Sequence, residues 1–432
     1  MDILEDLKWR GLINQQTDPE GLKEALEKGK LTLYCGTDPT GPSLHIGHLI
    51  PFIVLKRFQL QGYHPVILIG GATGAIGDPS GRSTERVLQT MDQVEANKKS
   101  LREQMSKIFG PEFKIVDNYT WISRLTLLDF LRDFGKNFSV NAMLSKESVA
   151  SRIEGGISFT EFSYQILQAI DFLYLFENEG VTLQIGGADQ WGNLTDGIDL
   201  IRHKHSKAEV FGFTIPLLLK SDGTKFGKSS GGAVWLDPKM TSPYDFYQFW
   251  INTDDRDTDK YLKYFTFLSK ERIEELDRET RERPNLRLAQ KALAYEVTAF
   301  VHGKEEADRA EKISSLLFKG DISELSADEI EEAFGSAPSA SIGKEPVNLV
   351  DLLVETGVEK SRRQAREDIS SKAISVNGRV LQSPEATVDP ASDFDGRFLV
   401  IRKGKKNYTL ARVSQLFPWW SSADLLRWGR AR

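Results

Sequence analysis

Between Leu31 and Gly70 an apolar run, a turn rich in proline and glycine, a helical pattern and a second apolar run follow one another, and that order leaves few folds open. Leu31-Thr32-Leu33-Tyr34-Cys35-Gly36 reads as a strand, Asp38-Pro39-Thr40-Gly41-Pro42-Ser43 as a turn, and Leu44 to about Gln61 as a helix. Pro65-Val66-Ile67-Leu68-Ile69-Gly70 is apolar without alternation, so it reads as a strand buried on both faces. Strand, helix and buried strand make a βαβ unit with a parallel sheet. The helix opens with His45-Ile46-Gly47-His48. Free backbone N–H groups and the positive end of the helix dipole collect at such a start, and two imidazoles add directed donors. Phosphate handling is the chemistry this suggests. Pro51 falls near the first turn of the helix, where its missing N–H costs little.

Histidine is scarce, with six in 432 residues, and two of them fall in this one turn. Gly36 closes the preceding strand and permits close approach of backbone to a ligand. A second phosphate-type signal, Lys225-Phe226-Gly227-Lys228-Ser229, lies far downstream in a loop that is flexible by composition. An isolated pair of histidines caps and packs, and an isolated loop lysine is solvated. The conjunction carries the signal.

The rest of the chain supports one crevice. Residues 1–30 carry helical patterning that fits one or two amphipathic helices lying on the main domain. Gly70 to Gly81 is dense in glycine, and Arg82 and Arg86 follow four apart at the start of a polar helix, where they either grip a polyphosphate or stand solvated. From about Asp92 to Ile153 the pattern is mainly helical, with Phe130, Leu131, Phe134, Phe138 and Val140 on an apolar face that serves a core or a subunit contact. In the next helix, from Phe162 to Tyr174, Tyr164, Gln168 and Asp171 share one stripe at i, i+4 and i+7. A polar stripe in an apolar helix must find partners, and a polar ligand is one. Gln184-Ile185-Gly186-Gly187-Ala188-Asp189-Gln190 reads as a strand end turning into a helix. Open α/β sheets bind at the carboxyl ends of their strands, so this turn, the Gly36 turn and the Gly70 turn converge. Residues 243–318 are helix-rich, with Tyr244, Phe246, Tyr247, Phe249 and Trp250 as core. Ala333 to Gly343 reads as a linker. Two short helices and a strand follow, bearing Arg362, Arg363, Arg366 and Lys372, with Lys403, Lys405 and Lys406 later, as one basic face.

Composition bounds these readings. A chain of this length carries two or three domains. The single cysteine, Cys35, excludes an intrachain disulfide and fits a reducing compartment; it is either a small polar contact at the first loop or a buried small hydrophobe. No apolar run reaches eighteen residues and the start lacks the pattern of a secretion signal, so a cytoplasmic protein without a membrane segment is expected. The net charge of −6 hides an asymmetry. From Pro346 onward there are fifteen Lys and Arg against ten Asp and Glu, a net of +5, with −11 in the remainder. A nucleic-acid footprint is expected in the C-terminal part.

His45-Ile46-Gly47-His48 matches the HIGH signature of class I aminoacyl-tRNA synthetases, and Lys225 to Ser229 resembles its KMSKS partner. With Tyr34-Cys35-Gly36, Gly70 to Gly74, Gly77-Asp78-Pro79-Ser80-Gly81, Phe162-Ser163-Tyr164 and Gln184 to Trp191, the chain is similar to the bacterial type of tyrosyl-tRNA synthetase, in order over nearly its whole length. The resemblance implies an α/β fold: a Rossmann-like parallel-sheet catalytic domain with a helical insertion (1–220), the lysine loop with a helical anticodon-side domain (221–330), a linker (331–345) and a small α+β RNA-binding domain (346–412). A Trp-rich stretch (413–432) departs from the pattern. It also implies a homodimer built around residues 92–153, with tyrosine, ATP and tRNA(Tyr) as substrates, Mg²⁺ accompanying ATP, and no protein metal cluster. Carried onto matching positions, Thr40, His45, Arg82, Arg86, Lys225 and Lys228, with Ser229, would hold the polyphosphate. His48, Cys35, Gly36, Asp38, Gly47, Gly187 and Asp189 would sit at the ATP and its ribose. Tyr34 and Asp171 would bond the phenolic hydroxyl, Asp78, Tyr164 and Gln168 the ammonium, and Gln190 the carboxylate end. Two rivals stay open: another nucleotidyl transferase with the same signature, and an RNA-binding protein derived from a synthetase.

Overall fold

The computed structural model describes residues 2–414 apart from Ser83, Arg86, Glu112, Lys225, Ser230, Gly231, Gly320, Ser336, Lys405 and Lys406, and describes Lys228 and Ser229 by backbone alone. Its residues fall into two compact units, 1–304 and 305–432. The first is built on five parallel strands, β1 (Thr32–Thr37), β2 (His64–Ile69), β3 (Lys114–Asp117), β4 (Val181–Gly187) and β5 (Phe211–Ile215). Their order is β3-β2-β1-β4-β5, so the winding reverses between β1 and β4. At such a switch point the loops leaving the two strands part and open a crevice.

The expected βαβ unit is present, with the helix Ile46–Leu60 crossing from β1 to β2. Pro51 sits deeper than the first turn, inside this helix, and removes the bond its N–H would have given to the Gly47 carbonyl. The helix nonetheless runs to Leu60, held by buried Ile46, Leu49, Phe52, Ile53, Leu55 and Phe58. The helix bearing the polar stripe is longer than its pattern, Phe159–Glu179, and packs with Trp191–Lys204 through Ala169, Phe172, Leu175, Leu194, Ile198 and Ile201.

The segment from 92 to 153 is not simply helical. It holds β3, an edge strand of four residues without a buried position, too short and polar to stand out in the sequence. Arg82 lies ahead of any helix, because the polar helix is Met91–Phe109 and starts where Thr90 caps it, so the four-residue spacing to Arg86 carries no helical meaning. Arg86 itself lies outside the described residues.

After β5 come the helices Pro243–Ile251, Asp255–Phe265, Lys270–Glu282 and Leu288–His302. Tyr244, Phe246, Tyr247 and Trp250 are buried as expected, while Phe249 is half-buried. The N-terminal helices, Ile3–Arg10 and Pro19–Lys28, bury Leu7 and Leu22. Arg10 and Arg57 are buried, and both donate to the Lys263 carbonyl, at 3.1 and 3.3 Å, closing the C-terminal end of Asp255–Phe265.

The second unit holds a five-stranded sheet in the order Arg379–Val380, Ile374–Val376, Phe398–Lys403, Asn407–Val413, Ser339–Ile342. The helices Leu349–Glu355 and Arg362–Ser370 pack Leu352, Leu353, Ala365 and Ile369 against Ile374, Leu399 and Ile401. Ser339–Ile342 lies in the stretch that reads as a linker, but it pairs in parallel with Leu410–Val413. Its small polar residues read as a spacer because an edge strand takes most of its bonding from its neighbour. Among the described residues no helix is long and apolar enough to cross a membrane. Residues 415–432, including Trp419, Trp420 and Trp428, lie outside the described residues.

Candidate active site

At the end of β1, His45 caps the helix that follows. Its Nδ1 accepts the Gly47 N–H at 3.0 Å, and Nδ1 of His48 accepts the His45 N–H at 3.3 Å, with the rings 3.9 Å apart. Both Nδ1 atoms act as acceptors, so each neutral ring carries its proton on Nε2 and presents a donor there. A Cβ on Gly47 would lie 2.8 Å from the His45 ring, so glycine is required for this fold-back.

The second signature lies against the first. The Ile46 N–H donates to the Val234 carbonyl at 3.0 Å and the Leu236 N–H to the Leu44 carbonyl at 2.8 Å, which pins the chain after the lysine loop to the histidine turn. Gly227, at φ +94°, sits where a Cβ would be 3.5 Å from the Gly47 nitrogen. Phe226 is held among Phe249, Trp250, Tyr261 and Phe265. Lys225 and the side chains of Lys228 and Ser229 lie outside the described residues. Thr40 and Arg82 line one cleft of about 310 Å³.

Buried polar groups stand on the strands and the helix behind the turn. Tyr34 is 1% exposed, and its hydroxyl has no hydrogen-bond partner among the described residues. In register beside it on β4, buried Gln184 has an Oε1 in the same condition. Burial first, and Asp171 second, hold the Tyr34 phenol well above its ordinary range. Asp171 accepts from Asn118 Nδ2 at 2.9 Å and Trp121 Nε1 at 2.8 Å. Burial nevertheless pushes its carboxyl up to about 8, against the pull of those two donors.

Tyr164 donates to Asp38 at 2.8 Å, and Thr73 Oγ1 donates to the other oxygen of Asp38 at 2.7 Å. Asp38 thus links the helix bearing Tyr164 to the glycine-rich turn after β2. Gly70 admits this contact, since a Cβ there would lie 2.1 Å from Asp38. Asp78 accepts from Gln190 Nε2 at 2.7 Å and from the Ser80 N–H at 2.9 Å. Asn193 Nδ2 reaches Gln168 at 3.1 Å and Gln190 at 3.2 Å, tying the polar stripe to the turn after β4. Burial, then Asp38 and Asp78, hold the Tyr164 phenol far above its usual value, a mark of a negative field that suits a cation.

Asp189 follows Gly187 in a short turn after β4. Its side chain is accessible to solvent, but the surrounding walls and Asp78 raise its carboxyl. Gly36 is exposed in the crevice, and the buried Cys35 thiol is pushed up to about 12 by desolvation, so it is neutral. Asn118, Trp121, Thr73 and Asn193 are site residues that sequence reasoning missed. Thr73 lay inside a glycine-rich motif, whereas Asn118 and Trp121 follow the unrecognised strand β3 and carried no signal.

In the second unit the cations of the expected basic face differ in their surroundings. Lys403 is paired with Glu359 at 2.7 Å and Asp368 at 2.9 Å. Arg362 pairs with Asp351 at 2.8 Å at an exposed site. Arg363, Arg366 and Lys372 are exposed, and Lys405 and Lys406 lie outside the described residues.

A histidine turn at the switch point of a parallel sheet, with a lysine loop pinned against it, is the arrangement of a class I aminoacyl-tRNA synthetase. The family model for class I tRNA synthetases of the tryptophan and tyrosine type matches residues 26–319, and a tyrosine–tRNA ligase C-terminal domain model matches residues 329–411. The chain is 62% identical to the tyrosine–tRNA ligase of Limosilactobacillus fermentum over 96% of its own length and 100% of that protein's. It is 64% identical to that of Lactobacillus acidophilus, over 95% and 99%. A C-terminally truncated mitochondrial tyrosyl-tRNA synthetase of Aspergillus nidulans superposes with a TM-score of 0.66 at 34% identity, over 73% of this chain and 94% of that one. The chain belongs to the tyrosine–tRNA ligase family.

Proposed function

We propose that this crevice joins tyrosine to ATP, giving tyrosyl-adenylate and pyrophosphate, and then passes the tyrosyl group to the terminal ribose of tRNA(Tyr). The observation that carries the reading is the Tyr34 hydroxyl, buried beside Asp171 and without a partner among the described residues. A buried hydroxyl left so costs about 1–3 kcal/mol, which a phenolic ligand offsets and a phenyl ring does not.

The substrate carboxylate is an ionised nucleophile, so it needs alignment rather than a base. It attacks the α-phosphorus, and the bond to the bridging oxygen of the leaving pyrophosphate breaks. Asp78, Tyr164 and Gln168, joined by Asp38, take the ammonium, and Gln190 the carboxylate end. His45 Nε2, the Thr40 hydroxyl and the Arg82 guanidinium, with Arg86, Lys225, Lys228 and Ser229, neutralise charge building on the phosphates. His48, Cys35, Gly36, Asp38, Gly47, Gly187 and Asp189 serve the nucleotide and its ribose. Mg²⁺ travels with ATP on its phosphate oxygens and water.

Arg362, Arg363, Arg366, Lys372, Lys403, Lys405 and Lys406 are the RNA contacts, and the bounds 1–220, 221–330, 331–345 and 346–412 serve as the working division. The exposed Leu127, Leu128, Leu131, Val140, Leu144 and Phe159 belong to the contact between two copies of the chain. The protein works in the cytoplasm.

ATP–pyrophosphate exchange with each amino acid offered separately, without tRNA, tests the reading. Exchange with tyrosine alone is expected. Exchange with another amino acid overturns the pocket, and none with any overturns the enzyme.

A further inference from the structure

The loop between β1 and the histidine helix contains Pro39, Gly41 and Pro42, so two of its residues have no N–H to give, and Thr40 N–H donates within the loop to the Asp38 carbonyl at 2.8 Å. The carbonyls of Pro39, Thr40 and Pro42 are taken up from outside the loop. On the helix Met91–Phe109, Asn97, Ser100 and Gln104 stand at i, i+3 and i+7, on one stripe of the helix. Asn97 Nδ2 donates to the Pro39 carbonyl at 3.1 Å. Gln89, which also accepts from Asn97 at 3.1 Å, donates to the Thr40 carbonyl at 2.8 Å. Ser100 donates to the Pro42 carbonyl at 2.6 Å.

Gln104 does the most. Its Nε2 donates to the Pro42 carbonyl at 3.3 Å, and its Oε1 accepts the Leu44 N–H at 3.1 Å and lies 3.1 Å from Ser43 Oγ. Ser43 Oγ in turn accepts the Asp237 N–H at 3.1 Å, on the segment that follows the lysine loop. One side chain thus holds the residues immediately before His45 and, through Ser43, the segment that follows the lysine loop.

We propose that Gln104 is a positioning residue for adenylate formation: it sets Thr40 and His45 against the phosphates and keeps the lysine loop's exit registered on the same turn. This rests on the activation reading above. Gln104 touches neither Tyr34 nor Asp171 through any of these bonds, so it governs the rate of the chemical step and not the tyrosine pocket. The nearest contrast on the same helix is Glu103, which is exposed and makes none of these bonds.

The test is single-turnover formation of tyrosyl-adenylate on the full chain, with tyrosine affinity from intrinsic fluorescence and the melting temperature measured in parallel. Tyrosine-dependent ATP–pyrophosphate exchange by the parent protein comes first, since its absence defeats the activation reading itself. Given that activity, Gln104→Met, similar in size and without the bonds, is expected to slow the step by about tenfold or more while tyrosine affinity and melting temperature stay near the parent values. Glu103→Ala is expected to leave all three unchanged. Ser43→Ala added to Gln104→Met is expected to cost little further, because both cut the same chain of contacts. An unchanged rate in Gln104→Met overturns the proposal. So does a loss shared equally by rate, tyrosine affinity and melting temperature, and so do fully additive losses in the double variant.

Discussion

The two ends of the crevice solve opposite problems. At the deep end Tyr34, Gln184 and Asp171 stand on β1, β4 and the helix Phe159–Glu179, all buried, so their positions are fixed by the packing of regular elements. At the mouth Thr40 and Arg82 stand on irregular backbone, and the histidines at the start of a helix. Under the proposed function the deep end, where the buried Tyr34 hydroxyl has no partner among the described residues, selects a substrate through the cost of failing to satisfy it. Under the same proposal the mouth presents donors to charge that grows during reaction, which places its effect in the transition state. Selection needs rigidity and desolvation, whereas activation needs directed donors held by braces outside the loop itself.

The largest expected effect tests the mouth. His45→Ala should slow adenylate formation by about a hundredfold or more with little change in tyrosine affinity, measured by single-turnover kinetics and equilibrium binding. Equal losses in both would place His45 in ground-state binding and erase the contrast.

A second experiment asks whether an unpaired buried atom always marks a ligand site. His302 is buried against Phe246, and its Nε2 also lacks a partner among the described residues. Burial first, and Lys107 second, push its pKa down to about 4. The unfolded imidazole takes a proton near 6.5 while the folded one refuses it until about 4, so the unfolded state binds more protons in that window. Stability should fall as pH drops from 6.5 to 4, with this group contributing on the order of 3 kcal/mol. Urea denaturation of His302→Leu should show a shallower slope over that range, and tyrosine should not alter the difference. An identical slope in both proteins would remove His302 as the cause.

Tyr34→Phe probes the deep end with a smaller change. Preference for tyrosine over phenylalanine in ATP–pyrophosphate exchange should fall by about tenfold, the worth of one hydrogen bond in a buried site. Undiminished preference would mean that Asp171, Asn118 and Trp121 select without it.

The smallest effect separates exposed from paired charge in the second unit. Arg366→Ala should lower the salt dependence of RNA affinity by nearly one phosphate contact, whereas Lys403→Met should lower it by less, since Lys403 is also paired with Glu359 and Asp368. An equal drop in slope for Lys403→Met would show that its carboxylate partners release it to RNA.

Much of this site was legible in the chain. The order of apolar runs and glycine-proline turns gave the parallel sheet, because a strand buried on both faces cannot alternate. The spacing of Tyr164, Gln168 and Asp171 gave the polar stripe, since i, i+4 and i+7 fall on one helix face whatever surrounds it. Other assignments failed for a common reason. Pro51 lies inside its helix because a periodic pattern does not mark the residue where a cap begins. Arg82 was read into a helix that Thr90 starts eight residues later. Ser339–Ile342 looked like a spacer because its partner strand is Asn407–Val413.

The sequence by itself determined what depends on neighbours a few residues away: the βαβ order, the histidine cap, the glycine at position 47 and the lysine loop. Tertiary structure alone decided which distant groups meet. Asp171 takes its donors from Asn118 and Trp121, and Asp38 accepts from Tyr164, 126 residues away. Gln104 reaches the residues before His45 across 60 positions, and Lys403 is paired with Glu359 and Asp368. Local periodicity fixes where a side chain points on its own element. What it points at, and so whether its charge or hydroxyl remains available, is fixed when the elements pack.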